Sequence, residues 1–193
     1  MNSILKQVSP SATTMIRMDH THVLATFHRY HIDTPAKTKR SLVNLICSAL
    51  EVHAQLEEEI FYPAMRDLGG DAALVDKSFP EHAEMKRLIA KLREMQPGDP
   101  TYDETVMELM RDVIHHVANE ETMLLPDAER RLGDRLSELG AQMTKRRLEL
   151  TAPRVGEIAR DTVTAMPVSS MVLTAGAVVA GAYLVTGAFG REA

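Results

Sequence analysis

The chain is poor in aromatic residues and in cysteine. Tryptophan is absent, and aromatic residues make up only 4% of the 193 residues. A low aromatic content with many Met, Leu and Ala residues favours helices over sheets. The single cysteine, Cys47, excludes an intramolecular disulfide framework and any cysteine-based zinc or iron–sulfur site. Cys47 lies in an apolar run, so we expect it to be a small core residue.

The sequence also lacks common catalytic motifs and an excess of basic charge. It contains no Gly-rich phosphate loop, no G-x-S-x-G and no H-E-x-x-H. Lys and Arg total 22 against 27 Asp and Glu, a net charge of −5, which argues against a nucleic-acid partner. Residues 1–11 contain no apolar stretch of signal-peptide length, so we expect the domain that follows to reside in the cytoplasm.

Charged residues are absent between Thr162 and Gly190. Within this region, residues 168–189 form an uncharged segment long enough to cross a bilayer as a helix. We interpret it as a C-terminal membrane anchor, with residues 151–167 as a linker. The alternative is a helix that packs in an oligomer or lies against the membrane, the rest of the protein being cytoplasmic. Small residues on which two such helices could pack into a homo-oligomer lie at Gly176/Ala180 and Ala177/Gly181.

Proline and glycine residues divide the part before the linker into long helical stretches. The pattern predicts helices at about 12–32, 36–68, 71–95 and 101–132, with a shorter one at 134–150. Pro80 lies inside the third stretch, so an interruption is expected near Ser78. No stretch shows sustained strand alternation. Short connections predict an all-α fold: an up-down-up-down four-helix bundle with an appended fifth helix over 12–150, after an N-terminal extension of residues 1–11.

Two stretches of the chain repeat one another. The segments that start at His53 and at His116 both have the form H-x3-E-E-x4-P. The first and third predicted helices each carry an acidic residue followed by histidine, Asp19-His20 and Glu81-His82, at almost the same separation along the chain as the two motifs. Each half of the predicted bundle therefore contributes the same set of polar residues.

The spacing of the repeated residues predicts a metal site inside the bundle. Residues i and i+4 lie on one face of a helix, so His53 and Glu57 can point at one spot, as can His116 and Glu120. Four imidazoles, including those of His20 and His82, and two carboxylates suit a pair of first-row transition ions that the carboxylates can bridge. Without metal, burying these groups would cost several kcal/mol.

The pattern His, H-x3-E, His, H-x3-E over four helices resembles the hemerythrin-like (HHE cation-binding) domain family. The resemblance covers roughly residues 12–150 and includes the run from Glu58 to Pro63. It implies a non-haem di-iron centre with oxygen-linked chemistry; manganese or zinc are the alternative metals. By that resemblance, the metal ligands are His20, His53, His82 and His116, with Glu57 and Glu120 bridging. Ferritin-like di-iron sites need Glu-x-x-His, and no histidine here has Glu three residues before it.

The chain departs from the oxygen carriers of this family at two points. The carriers have a second histidine one turn after the third-helix histidine, where this chain has Lys86. They also have H-x4-D in the fourth helix, where this chain has the shorter spacing to Glu120. One metal should therefore lack a nitrogen ligand, with the position filled by water, filled by another side chain, or left open. This argues against reversible oxygen carriage.

Several functions remain open on the sequence. The first is a membrane-tethered module that binds or senses dioxygen, iron, nitric oxide or peroxide. The second is a di-iron peroxidase or oxidase, with Lys86 as a cation that steers an anion. The third is a helical interaction protein that holds zinc or manganese. No general acid or base beyond the ligands is apparent, which favours the first. We expect surface or capping positions for His22, His28 and His31. His115 should face outward, the alternative being a place behind the ligands. Glu58 and Glu121 should turn away from the centre, on the helix surface or in hydrogen bonds between helices.

Overall fold

The computed structural model of the chain describes residues 8–67 and 72–166, and every regular element in these ranges is helical. The α-helices are α1 (Ala12–His28), α2 (Ala36–Leu56), α3 (Tyr62–Asp67), α4 (Ala72–Glu94), α5 (Tyr102–Asn119), α6 (Leu125–Leu132), α7 (Arg135–Thr151) and α8 (Val155–Ala165). Helices α3 and α6 continue α2 and α5 after one π-helical turn each, so the four predicted long helices are present. The all-α fold class is confirmed for the described residues.

Two apolar clusters enclose a layer of buried polar side chains within the bundle. This polar layer consists of His20, His53, Glu57, His82, His116 and Glu120. The first cluster includes Ile16, Leu56 and Leu125, and the second includes Phe27, Ile46 and Leu109. Along α1 and α4 the chain runs from the first cluster through a buried histidine to the second; along α2 and α5 it runs the opposite way. This alternation is the predicted up-down-up-down order. Burial of apolar side chains on both sides holds the polar layer in place. Cys47 lies in the second cluster, 1% exposed, as expected.

Each half of the bundle contains a π-helical turn that the sequence analysis did not predict. The turns span Glu57–Phe61 and Glu120–Leu124. Each is closed by a backbone bond over five residues, from Tyr62 N–H to the carbonyl of Glu57 and from Leu125 N–H to that of Glu120. A proline follows in each repeat and has no N–H to continue the regular ladder, which explains the last position of the H-x3-E-E-x4-P motif.

The fifth helix, α7, packs on helices α1 and α2, which form the first half of the bundle; α4 and α5 form the second half. Its residues Leu136, Leu139 and Met143 join the first apolar cluster. Gly140 allows the close approach, because a Cβ atom there would lie 2.0 Å from the carbonyl oxygen of Pro10. The predicted appended helix is therefore present, and a side chain at position 140 would push it away from the chain before α1.

Residues expected to form a linker are instead largely helical. A 3-10 turn at Ala152–Arg154 leads into α8, which lies against α2. Asp161 accepts hydrogen bonds from Ser41 Oγ at 2.9 Å and from Asn44 Nδ2 at 3.1 Å. The Arg29 guanidinium donates to the carbonyl of Ala165, one of the carbonyls that a helix end leaves without an internal partner. These bonds hold α8 on the bundle as far as its last residue.

Two helix boundaries also differ from expectation. Helix α4 passes through Pro80 without interruption, and the Ser78 hydroxyl donates to the carbonyl of Leu74 at 3.4 Å instead of starting a new helix. Helix α1 ends at His28, several residues early, because Arg29 and Tyr30 bond to carbonyls only three residues back and close the last turn.

The predicted membrane anchor at 168–189 lies outside the described residues and stays a prediction. Within 8–67 and 72–166, no helix is both long enough and apolar enough to cross a membrane.

Candidate metal centre

The structure brings the six predicted ligands together in the polar layer. Each imidazole points its Nε2 atom inward, and each glutamate reaches two histidines. Glu57 Oε2 lies 3.2 Å from His53 and 3.4 Å from His82, and Glu120 Oε2 lies 3.2 Å from His20 and 3.5 Å from His116. All six side chains are at most 4% exposed. The helical spacing therefore predicted the convergence; metal ligation by these residues stays a prediction.

The donors form two overlapping groups, each compact enough to surround one ion. One is His53, Glu57, His82 and His116; the other is His20, His53, Glu57 and Glu120, and the donor atoms of each group lie within 4.8 Å of one another. Their nitrogen and oxygen donors suit first-row transition metals.

Several donor atoms in this layer are buried without a hydrogen bond. They are Nε2 of His20 and His53, Oε1 of Glu57 and Oε2 of Glu120. Buried polar atoms are nearly always satisfied, and an unsatisfied one costs about 1–3 kcal/mol. Cations in the layer would satisfy all four atoms, so the residues present fit a metal centre.

A carboxylate from a neighbouring helix lies at the outer nitrogen of every imidazole. The Nδ1 atoms of His82, His116 and His20 lie 2.9, 2.8 and 3.0 Å from Glu58, Glu81 and Glu121. The fourth pair, His53 Nδ1 and Asp19, is 3.6 Å apart, beyond hydrogen-bond distance. A carboxylate at Nδ1 favours the tautomer that carries its proton there and leaves Nε2 free for metal.

The partners of these carboxylates lie on other helices. Asp19 and Glu81 face His53 and His116, not the histidines that follow them in the chain. Glu58 and Glu121 form bonds between helices to the outer nitrogens of two predicted ligands, the second of the two roles expected for them. No sequence spacing would have found these contacts, since each joins two separate helices.

Each outer carboxylate is in turn paired with a cation. Arg147 contacts both oxygens of Asp19 at 2.7 and 2.5 Å. Lys86 donates to both oxygens of Glu58 at 2.7 Å, so its ammonium group faces outward. The other pairs are longer: 3.4 Å from Arg17 to Glu121 and 3.9 Å from Lys77 to Glu81.

Burial and the two inner carboxylates set the protonation of the layer without metal. Burial lowers the pKa of His53 to about 4 and also lowers the pKa of His82, which favours the neutral imidazole that binds metal. Burial would do the same to His20, but bonds and charges from Glu120, Glu57 and Glu121 raise its pKa to about 9. Neutral ligands at His53 and His82 leave fewer protons for a cation to displace.

The two glutamates shift in opposite directions. Burial and the charge of Glu120 raise the pKa of Glu57 well above its usual value. Burial acts on Glu120 too, but its close contact with His20 and the charges of His116 and His53 lower its pKa to about 2. One of the two carboxyl groups therefore stays neutral, since two negative charges this close oppose one another.

One further residue in the layer escaped the sequence analysis. The hydroxyl oxygen of Tyr62 lies 2.9 Å from Glu120 Oε1, 3.2 Å from Glu57 Oε2 and 3.3 Å from His82 Nε2. In a regular α-helix, residues 57 and 62 would face different directions; the π-helical turn places one over the other. Burial and the two carboxylates raise the pKa of Tyr62 well above its usual range.

The remaining histidines lie outside the layer. His22, His28, His31 and His115 are all exposed, in agreement with their expected surface positions. Among the described residues, the groups close enough to hold a metal ion come only from the polar layer.

The fold and the donor set define a metal-binding helical bundle. The family described as "Hemerythrin HHE cation binding domain" matches residues 11–128, and the chain belongs to this family. A crystal structure of a hemerythrin HHE cation-binding domain protein from Mycobacterium kansasii superposes with a TM-score of 0.66 at 16% identity, covering 81% of this chain and 99% of that one. At this identity, the match supports the fold alone.

A second relative is a much longer protein. The chain is 28% identical over 142 residues to a protein from Nostoc sp. (strain PCC 7120 / SAG 25.82 / UTEX 2576) named "DNA nickase". The match covers 74% of this chain, which spans only 40% of that relative's length.

Proposed function

We propose that the chain is a non-haem di-iron protein that binds or senses dioxygen or a related ligand such as nitric oxide or peroxide. His20, His53, His82 and His116 would hold two iron ions, with Glu57 and Glu120 between them. The observation that carries the proposal is the pair of overlapping donor groups, buried and with the inward nitrogens of His20 and His53 left without a hydrogen bond. When bound, a carboxylate-bridged di-iron pair supplies electron exchange with dioxygen or peroxide.

The chain's own residues favour a small, uncharged ligand over a large substrate. The six predicted ligands are at most 4% exposed, and two apolar clusters enclose them. The outer carboxylates fix the imidazole rings from outside, so the inner nitrogens are oriented before a metal arrives. This arrangement supports binding or sensing; the alternative is a di-iron peroxidase or oxidase.

DNA cleavage is not proposed for this chain. The name "DNA nickase" belongs to a relative of which the chain covers less than half.

The test is metal analysis of the full chain purified under air and under nitrogen, with ultraviolet–visible spectra of both samples. We expect two irons per chain and absorption bands of an oxo-bridged pair that depend on oxygen. Zinc, manganese or no metal would contradict the proposal. Steady turnover of added peroxide would favour the enzyme over the sensor.

Adjacent histidines provide a matched control for this test. His116→Ala removes a predicted ligand and should lower the iron content below two per chain. His115→Ala changes the exposed neighbour on the same helix and should leave iron content and spectrum unchanged. Equal loss of iron in both variants would mean that the spectrum arises elsewhere.

We further propose that residues 168–189 attach the protein to a membrane, on the basis of their length and lack of charge. Cell fractionation of the full chain and of a version truncated after residue 166 tests this. The full chain should sediment with membranes and resist alkaline extraction, and the truncated chain should not. Release of the full chain by alkali would contradict membrane spanning.

A further inference from the structure

The predicted ligands of the two halves match, but Tyr62, which contacts three of them, has no counterpart in the second half. His53 corresponds to His116 and Glu57 to Glu120, and the prolines that end the two motifs keep the same offset. That offset takes Tyr62 to Leu125, a fully buried apolar residue of the first cluster. A phenol group therefore lies on one side of the centre, and the other side has a hydrocarbon in its place.

The position of the Tyr62 oxygen is that of a metal donor. Ligand atoms about 2.1 Å from an ion in octahedral geometry lie roughly 3.0 Å apart. The predicted ligands show such separations, for example 3.2 Å between Nε2 of His82 and of His116. The Tyr62 oxygen lies at 2.9, 3.2 and 3.3 Å from three of these donor atoms, so it fits the same coordination shell.

We propose that Tyr62 is a seventh protein ligand of the metal centre and that its phenol oxygen binds the ion beside His82. The inference rests on the proposed function, because it needs the iron centre. Lys86, one turn after His82, does not compete for this role, because its ammonium group is held outward by Glu58. On binding, the O–H bond of the phenol breaks, an oxygen–metal bond forms, and the proton leaves to solvent.

A consequence is that the two ions are inequivalent. The ion beside His82 has an oxygen donor from Tyr62, and on the opposite side Leu125 offers no donor atom. Mössbauer spectra of the iron-loaded chain should therefore show two distinct iron sites in equal amounts. In Tyr62→Phe, the two sites should become more alike.

The decisive experiment is resonance Raman spectroscopy of the full chain loaded with ferric iron. We expect a visible charge-transfer band whose excitation enhances tyrosinate ring vibrations. Tyr62→Phe should remove both the band and the vibrations while iron still binds, with about 10-fold weaker affinity in chelator competition. Tyr102→Phe is the matched control, since Tyr102 is equally buried but lies in the second apolar cluster, and it should leave the spectrum unchanged.

The outcomes separate this inference from the proposed function. A chain with two irons and bridge bands but no tyrosinate vibrations overturns the ligand role of Tyr62 and leaves the proposed function standing. A chain that binds no iron overturns both.

If Tyr62→Phe fails to fold, the wild-type spectrum decides, because among the described tyrosines only Tyr62 contacts the predicted ligands. Ring-deuterated tyrosine should then shift the enhanced vibrations. Tyr183→Phe, in the tail outside the described residues, should leave them in place; their loss in that variant would overturn the assignment to Tyr62.

Discussion

The two halves of the bundle share their inner donors and differ in what surrounds them. His53 with Glu57 and His116 with Glu120 have the same spacing, the same burial and similar separations of 3.2 and 3.5 Å. Outside them, Asp19 is held by two short contacts from the Arg147 guanidinium. Glu81 instead accepts a hydrogen bond from the neutral amide of Asn119 at 3.1 Å and has its cation, Lys77, at 3.9 Å.

The difference follows from the appended helix. Arg147 lies on α7, which packs on the first half of the bundle, and Lys77 lies on α4 within the second half. An inner donor must reach a fixed point, so helical spacing determines its position in both halves. The cations outside the centre need only lie near a carboxylate. Their identity therefore depends on which helix covers that carboxylate, α7 for Asp19 and α4 for Glu81. The duplicated motif thus accounts for the predicted metal ligands but not for the charged residues around them.

Substitution of the bridging glutamates should have the largest effect. Glu57→Gln and Glu120→Gln each remove a negative donor shared by two histidines, so each should weaken iron binding by at least about 100-fold, more than an outer partner would. Metal analysis after dialysis against a chelator measures this. Glu59→Gln is the control, because Glu59 bonds outward to Gln55 and Arg146. Retention of both irons in either variant would contradict the bridging role.

The same two variants should differ in the metal-free protein. The pKa of Glu57 is raised, so a neutral amide should be tolerated there, whereas the carboxylate of Glu120 is stabilised by His20. We expect Glu120→Gln to lower the free energy of unfolding by about 1–3 kcal/mol more than Glu57→Gln. Urea denaturation of the two metal-free variants measures the difference. Equal values would show that the carboxyl proton is shared equally between Glu57 and Glu120.

Substitution of the outer carboxylates should cause the next largest loss of iron binding. Asp19→Asn and Glu81→Gln each remove the negative charge that faces the outer nitrogen of one imidazole, so we expect about 10- to 100-fold weaker iron binding in both. The loss should be greater for Asp19→Asn, because it also leaves the partly buried Arg147 without its carboxylate. Competition with a chromogenic chelator ranks the variants. A larger loss for Glu81→Gln would reverse the comparison between the halves.

The convergence of the predicted metal ligands could be predicted from the sequence for a physical reason. Helical periodicity places His53 and Glu57 on one face, and the repetition of the whole motif from His116 excludes coincidence. Four helices with short connections then bring these faces together. Contacts such as Glu58 to His82 could not be predicted, since they depend on how two helices are rotated against each other.

The position of Tyr62 was missed for a different reason. Its direction depends on a π-helical turn, and the regular periodicity used for prediction assigns residue 62 to another face. The proline that ends each motif was visible in the sequence, and it was the signal for that turn. Residues 155–165, predicted as part of a linker, are helical. Pro153 and Gly156 suggested a break, but the bonds of Asp161 to Ser41 and Asn44 hold α8 against α2.

Loss of the paired cations should have smaller effects on stability that depend on pH. Burial would raise the pKa of Asp19, but the nearby His53 and the two bonds from Arg147 lower it to about 2. This stabilisation is present above about pH 4 and is lost as the pH falls towards 2. We expect Arg147→Met to lower the free energy of unfolding of the metal-free protein by about 1–2 kcal/mol at pH 6, with the penalty shrinking over that window.

Lys77→Met is the matched substitution in the other half. Its ammonium group is half exposed and 3.9 Å from Glu81, so the loss should stay below about 0.5 kcal/mol. Urea denaturation between pH 6 and pH 2.5 measures both variants. A penalty for Arg147→Met that is independent of pH would mean that Arg147 stabilises the fold through packing rather than through Asp19.

The smallest effect should come from Lys86, the residue that replaces a histidine of the oxygen carriers. Its ammonium group is 46% exposed and already bonded to both oxygens of Glu58, so it faces away from the centre. Exposed ion pairs contribute about 0.2–1 kcal/mol, so Lys86→Met should change the free energy of unfolding by less than about 1 kcal/mol. Iron content should remain at two per chain, as in the matched variant Arg17→Met. Loss of iron in Lys86→Met alone would mean that Glu58 needs its cation to orient His82, and would extend the difference between the halves from their outer charges to the metal ions themselves.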